Sequence, residues 1–260
     1  MLLKDKIAVV YGAGGNIGGT VARAFAADGA RLYLVGRTRA RLERTAADIA
    51  TAGGTAEVAE LDAADEIAVE RHLDDVIAQA GRIDVSMNAC STPGVVMGRP
   101  LREVSIADFV NPVAGQARLH FTTARGAARR MARQRSGVIV TLSTITPALS
   151  GRDRMYHSPG GFGAACAVVE EMSRALAADL GPLGVRVICL RPDAISETWS
   201  PADRAEGSAN KAHMDAGTVL GSLPTLRQVA DAAVWAASDR SAGMTGALLN
   251  LSRGSVMSAG

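Results

Sequence analysis

The sequence predicts an α/β protein: one doubly wound sheet of seven mostly parallel strands, flanked by helices on both faces. Two observations carry this. Short apolar runs alternate with amphipathic stretches of helical length along nearly the whole chain. The first apolar run stops at clustered glycines that open directly into an Ala-rich amphipathic stretch, the pattern of strand, tight turn and helix start.

In chain order the first strand is 7–10, Ile-Ala-Val-Val, and the helix after its glycine turn covers 17–28. A second strand at 31–35 leads to a helix at 39–51, where Arg39, Arg41 and Arg44 form a charged face. The pattern repeats with a strand at 55–60 and a helix at 66–79, then a strand at 83–88 and a long helix at 109–134. Strand 137–142 is followed by helix 163–180, strand 185–190, helix 226–237 and a last strand at 247–251. Such βαβ units join by right-handed crossovers around a parallel sheet. No linker or internal repeat divides the chain, so 1–260 reads as one domain. Only 192–224 stands apart: it is rich in Ser, Asp, Gly and Pro and lacks strong periodicity. Lying beyond a strand's carboxyl end, it reads as a substrate-covering lid or, alternatively, as a plain surface loop.

Composition narrows the function. The formal charge is +2 and acidic and basic residues are mixed, so no block of like charge suggests nucleic acid or a membrane surface. No run of about 20 apolar residues could span a bilayer. Cys90, Cys166 and Cys189 lack metal-ligand spacing, and the four histidines are scattered, so no metal site is expected. An odd number of cysteines fits a reducing compartment, and a cytoplasmic location is the expectation.

The turn Gly12-Ala13-Gly14-Gly15-Asn16-Ile17-Gly18 would let backbone approach a pyrophosphate, whose charge then faces the unpaired N–H groups of a helix N-terminus. That is a Rossmann-like arrangement, and Gly12, Gly14, Gly15, Asn16, Ile17 and Gly18 are its cofactor-binding residues. At the end of the second strand, where an acid would bind the ribose 2′-OH of NAD, the chain has Gly36-Arg37. An arginine fork pairs with a 2′-phosphate, which favours NADP(H). The alternative makes Arg37 a solvated residue at a helix entry. Asp62, closing the third strand, is placed to touch an adenine, and Asn88-Ala89-Cys90 closes the fourth.

With these elements in order, the chain resembles the classical short-chain dehydrogenase/reductases over almost its full length. The glycine turn matches the TGxxxGIG loop, with Tyr11 in place of the threonine, and Asn88-Ala89-Cys90 is similar to a degraded NNAG motif. Asn111 matches the active-site asparagine, and Thr141-Leu142-Ser143-Thr144 matches the strand ending in the catalytic serine. The stretch from Ala175 to Val187 closely resembles the helix and strand that follow the catalytic lysine. By this resemblance Asn111, Ser143 and Thr144 are catalytic, and Pro192 and Ile195 lie against the nicotinamide amide. The resemblance also implies a small-molecule substrate and a homo-oligomer, tetramer or dimer, pairing helices 109–134 and 163–180.

The resemblance fails at the catalytic pair. Counting back from Leu176-Ala177-Ala178-Asp179-Leu180 without a gap puts Phe162 where the family has its tyrosine and Cys166 where it has its lysine. The chain's only lysines are Lys4, Lys6 and Lys211, so no local realignment restores one. Tyr156 lies thirteen residues after Ser143, the family's serine-to-tyrosine spacing, but Pro159, Gly160 and Gly161 mark its surroundings as a loop. Two readings follow. In one, an NADP(H)-dependent oxidoreductase acts on a carbonyl/alcohol pair, with Tyr156 as an atypical acid assisted by Arg152, Arg154 or His157. In the other, the chain is a catalytically degenerate nucleotide-binding regulatory or scaffolding protein. The segment 192–198 departs too: Asp193 replaces a glycine and Thr198 falls one place late, with Glu197 at the matching position.

Overall fold

The computed structural model describes residues 1–92, 99–145, 160–205 and 208–257. Its strands are β1 (Ile7–Tyr11), β2 (Arg31–Gly36), β3 (Thr55–Glu60), β4 (Val85–Asn88), β5 (Gly137–Leu142), β6 (Val185–Pro192) and β7 (Ala247–Leu251). The helices are α1 (Asn16–Ala27), α2 (Arg39–Thr51), α3 (Glu66–Ala80), α4 (Ile106–Gln134), α5 (Gly160–Leu180), α6 (Pro201–Arg204), α7 (Ala209–Ala216) and α8 (Leu226–Ala237). The strands form one sheet in the order β3-β2-β1-β4-β5-β6-β7, and every pairing is parallel. The order reverses beside β1, so β1 and β4 flank the crevice where open α/β sheets bind ligands.

Strand alternation divides the core into two layers. Ala8 and Val10 of β1 pack with Val21 and Phe25 of α1, Leu42 of α2 and Val229 and Ala233 of α8. On the other face Val9 and Tyr11 meet Leu73 of α3, Ala127 and Met131 of α4 and Ala177 of α5. Phe25, Leu32, Leu42 and Leu73 have no exposed surface, and each such side chain contributes about 1.5–3 kcal/mol of burial free energy. Within the second layer, α3 and α4 are joined by buried polar groups. Arg130 of α4, itself 7% exposed, bonds Glu70 at 2.8 Å and also Asp74 of α3. Burial alone would raise the Glu70 carboxyl, but Arg130 and Arg129 hold it below its usual range.

β1, β2, α1, α3 and β6 differ from the sequence reading by one or two residues at an end, and three other elements start elsewhere for a visible reason. β4 begins at Val85 rather than 83, because the buried Asp84 turns its carboxylate to the Ile7 N–H at 2.9 Å. α4 begins three residues early at Ile106, because Ser105 caps it by accepting the Asp108 N–H. Pro112 lies inside this helix and forfeits one backbone hydrogen bond without ending it. α5 takes in Gly160 and Gly161, which sequence reasoning assigned to a loop. A Cβ on Gly161 would collide with the carbonyl oxygen of Phe109, so this glycine is what lets α5 start against the α4 backbone. The excursion at 192–224 contains a 3-10 turn at Ser196–Thr198 and the short helices α6 and α7. Among the described residues no helix is long and apolar enough to cross a membrane.

Candidate functional site

The crevice between the ends of β1 and β4 holds a cleft of about 400 Å³. Its floor is main chain. β1 ends at Tyr11, and the chain turns at Gly12 with φ +78, where the Gly12 N–H donates to the Val35 carbonyl at 2.8 Å. A Cβ at Gly12 would stand 2.9 Å from the Ala89 carbonyl oxygen, and one at Gly14 would stand 2.9 Å from the Arg41 Cβ. A Cβ at Gly18 would strike the Gly12 carbonyl oxygen itself. The glycines therefore allow loop, β4 end and α1 to sit in mutual backbone contact. Gly15 is the N-cap of α1 and is exposed. Asn16 and Ile17 follow in the first turn, whose N–H groups have no carbonyl within the helix and point to the cleft end.

Side chains give the cleft its sign. Arg37, Arg41 and Arg118 line it, against the single carboxylate of Asp62. Arg39, by contrast, is turned away into ion pairs with Glu43 at 3.3 Å and Glu60 at 3.7 Å. Together with the dipole of α1, three arginines make the cleft an anion site. Asp62 accepts the Ala64 N–H at 2.9 Å, which fixes the loop leaving β3. Ala89 and Cys90 line the cleft where β4 ends. Asn88 is buried: its amide bonds the Leu119 carbonyl at 3.2 Å and the Thr123 hydroxyl at 2.8 Å, while its oxygen receives the Cys90 N–H. It ties the end of β4 to α4. These residues fit a dinucleotide, because the cradle is walled by positions that a Cβ would fill and its charge is positive.

The expected catalytic residues are brought together only in part. Ser143 and Thr144 follow β5, Ser143 buried and Thr144 half-buried. The Ser143 hydroxyl donates to Glu170 Oε1 of α5 at 2.7 Å. Asn111 is exposed on α4. The amide that enters this region is Gln116, which is buried. Its oxygen accepts from the Thr92 N–H and hydroxyl, both at 3.0 Å, and its nitrogen stands 3.1 Å from His120 Nε2. His120 is fully buried, which pushes its imidazole down to about 4. Phe162 is half-buried on α5, and Cys166 one turn later is buried, which raises its thiol to about 11. Burial raises Cys90 and Cys189 to about 12, so all three thiols are protonated at neutral pH. Tyr11 is fully buried and burial moves its phenol well above the usual range. Tyr156, Arg152, Arg154 and His157 lie outside the described residues.

Pro192, the last residue of β6, and Ile195 beyond it are buried. Asp193 is also buried, accepting the Ala194 N–H at 2.7 Å and the Ser255 hydroxyl, so the glycine substitution ties this loop to the C-terminal segment. Thr198 bonds back to the Ile195 carbonyl at 2.7 Å, and Glu197 receives the Leu226 N–H at 2.7 Å, anchoring the start of α8. Among the described residues no group of three His, Cys, Asp or Glu side chains could hold a metal.

Gln116, Arg118, Glu170 and Arg191 were not singled out by sequence reasoning. The signal for Glu170 was present: 162, 166 and 170 are spaced by four, so they share a face of one helix.

Comparisons with known proteins agree with this geometry. The family model described as enoyl-(acyl carrier protein) reductase matches residues 12–255. D-threitol dehydrogenase of Mycolicibacterium smegmatis is 30% identical over 257 residues, covering 97% of this chain and 93% of that protein. Galactitol 2-dehydrogenase (L-tagatose-forming) of Cereibacter sphaeroides is 28% identical, covering 97% and 95%. The crystal structure of NAD+-bound xylitol dehydrogenase superposes with a TM-score of 0.84 at 22% identity, covering 98% of this chain and 100% of that one. With an all-parallel doubly wound sheet, a glycine-walled anion cleft at its switch point and matches along nearly the whole sequence, the chain belongs to the short-chain dehydrogenase/reductase family.

Proposed function

We propose that this protein is an NADP(H)-dependent oxidoreductase that acts on a carbonyl/alcohol pair through an active site without the family's tyrosine and lysine. The observation carrying the cofactor assignment is Arg37 on the rim of the glycine-walled cleft, with Arg41 and Arg118 beside it. NADP(H), when bound, supplies or accepts the hydride. The chain's own part is to hold the diphosphate on the Gly12–Gly18 turn, to accept the 2′-phosphate on Arg37, and to set the adenine beside Asp62. Pro192 and Ile195 form the wall expected against the nicotinamide amide. The hydroxyls of Ser143 and Thr144 face the reacting oxygen, and 192–224 acts as the substrate lid.

The relatives' names point to the substrate class. D-threitol and galactitol are polyols, so a small sugar alcohol or its keto form is the proposed substrate. A homo-oligomer in the cytoplasm accompanies this reading. Steady-state turnover of polyols with NADP+ and of carbonyl compounds with NADPH tests it, and a Tyr156→Phe comparison decides whether that phenol takes part.

A second reading is favoured by Phe162 and Cys166. A ring without a donor and a buried neutral thiol would leave a nucleotide-binding protein of regulatory or scaffolding role. Cofactor binding without turnover on any substrate would establish it.

A further inference from the structure

Beneath the hydroxyls at the end of β5 lies a carboxylate to which the reading above gives no task. Glu170 sits on α5 one turn beyond Cys166, on the face that meets the ends of β5 and β6. Its Oε1 accepts the Ser143 hydroxyl at 2.7 Å, and its Oε2 is approached by Arg191 Nη1 of β6 at 3.5 Å. The Glu170 and Arg191 side chains are 14% and 15% exposed, and Arg191 Nε is buried with no hydrogen-bond partner among the described residues.

As a stabilising element this trio is poor. Taking two charges out of water costs several kcal/mol per ion, recovered only by close and well-satisfied geometry. A single contact at 3.5 Å with an unmatched Nε does not supply that geometry. As chemistry it is well arranged. A carboxylate within hydrogen-bond distance of a hydroxyl is the layout of a base acting on that hydroxyl, and an adjacent guanidinium fixes a positive charge beside it. Neighbouring groups cannot take the role, since Cys166 and Cys189 are neutral thiols here.

We propose that Glu170, acting through Ser143, accepts the proton of the substrate alcohol, and that Arg191 supplies the fixed positive charge of the site; this rests on the oxidoreductase reading above. In the oxidising direction the substrate O–H bond breaks and its proton passes to Ser143 Oγ, as the proton of Ser143 passes to Glu170 Oε1. The oxygen's freed electron pair forms the C=O bond, and the carbon's hydrogen departs with its pair to the oxidised cofactor. Glu170 then releases its proton to water. Reduction runs the same transfers backwards. Ser143 touches the substrate; Glu170 and Arg191 are positioning residues that act through it.

The test compares the native protein with Glu170→Gln, Glu170→Asp and Ser143→Ala, oxidising polyols with NADP+ across the pH range. Glu170→Gln is expected to lower kcat about 100-fold with KM little changed, and to abolish the acid limb of the pH profile. Glu170→Asp should restore part of the rate and the acid limb with it. Fluorescence titration of NADPH should be the same for all four proteins. In the cofactor-free protein, the infrared carboxylate band found by subtracting the Glu170→Gln spectrum should shift in Ser143→Ala. Should Glu170→Gln fail to fold, Ser143→Ala must itself show the lost rate and flattened limb. Native kcat and an intact acid limb in the variants, or an unmoved band, would overturn the relay and leave the oxidoreductase reading standing. A native protein that binds NADPH yet oxidises nothing would overturn both.

Discussion

Two regions at the carboxyl ends of the strands are made of different materials. Between β1 and β4 the wall is mostly backbone: Gly12, Gly14 and Gly18 stand where a Cβ would meet a carbonyl oxygen or the Cβ of Arg41. At the ends of β5 and β6 the structure is made by side chains, with Glu170 contacting both Ser143 and Arg191. A backbone cradle constrains volume and φ, so sequence drift leaves it recognisable as long as the glycines remain. A side-chain constellation depends on individual functional groups and can be rebuilt from other residues on the same scaffold. That contrast explains why a glycine turn is easier to match to its family than a set of catalytic side chains.

The comparison can be broken most severely at the cradle. Gly18→Val places a side chain against the Gly12 carbonyl, and either α1 or the turn must move. Overpacking of this kind costs about 1–3 kcal/mol, so NADPH affinity is expected to fall about 100-fold by fluorescence titration. Native affinity in this variant would show that the turn does not hold the cofactor.

A buried imidazole on α4 carries an effect of similar size. His120 is buried and pushed down to about 4, so it is neutral when folded and takes up a proton near its ordinary value of about 6.5 when unfolded. The stability it contributes is therefore present above pH 6.5 and is lost as the pH falls towards about 4, by about 3 kcal/mol in all. Urea unfolding across that window should show the slope, and His120→Leu should flatten it. Glu70, held low by Arg130 and Arg129, adds a loss of the same sign at more acid pH.

A smaller effect separates Asn111 and Gln116 of α4. Gln116→Ala strands the Thr92 N–H and is expected to destabilise the protein by about 1–2 kcal/mol. Asn111→Ala changes an exposed side chain and should fall within about 0.5 kcal/mol in the same unfolding experiment. Equal effects at both positions would show that the Asn111 side chain is held in the fold as Gln116 is.

Much of this was legible in the sequence. The strands and helices are where alternating apolar runs put them, and β3, β5, β7, α2 and α8 match to the residue. Boundaries were missed where a side chain or packing contact, not periodicity, set them: the Ser105 cap, the Asp84 carboxylate and the close approach of Gly161 to Phe109. The cofactor cleft was legible because its glycines are contiguous in the chain. Gln116 and Arg118 reach the site from the middle of a long helix, and Arg191 is the penultimate residue of a strand. Nothing in local spacing links Arg191 to Glu170, which lies 21 positions earlier. Their meeting depends on how α5 packs over the ends of β5 and β6.

The central claim is that the cleft at the β1–β4 crevice binds a dinucleotide with its 2′-phosphate on Arg37. Calorimetric titration of NADPH and NADH, with the native protein and with Arg37→Ala, tests it most directly. The account predicts one saturable site per chain, tighter for NADPH, and an Arg37→Ala loss of about tenfold confined to NADPH. A flat NADPH titration, or equal weakening of both nucleotides by Arg37→Ala, would contradict it.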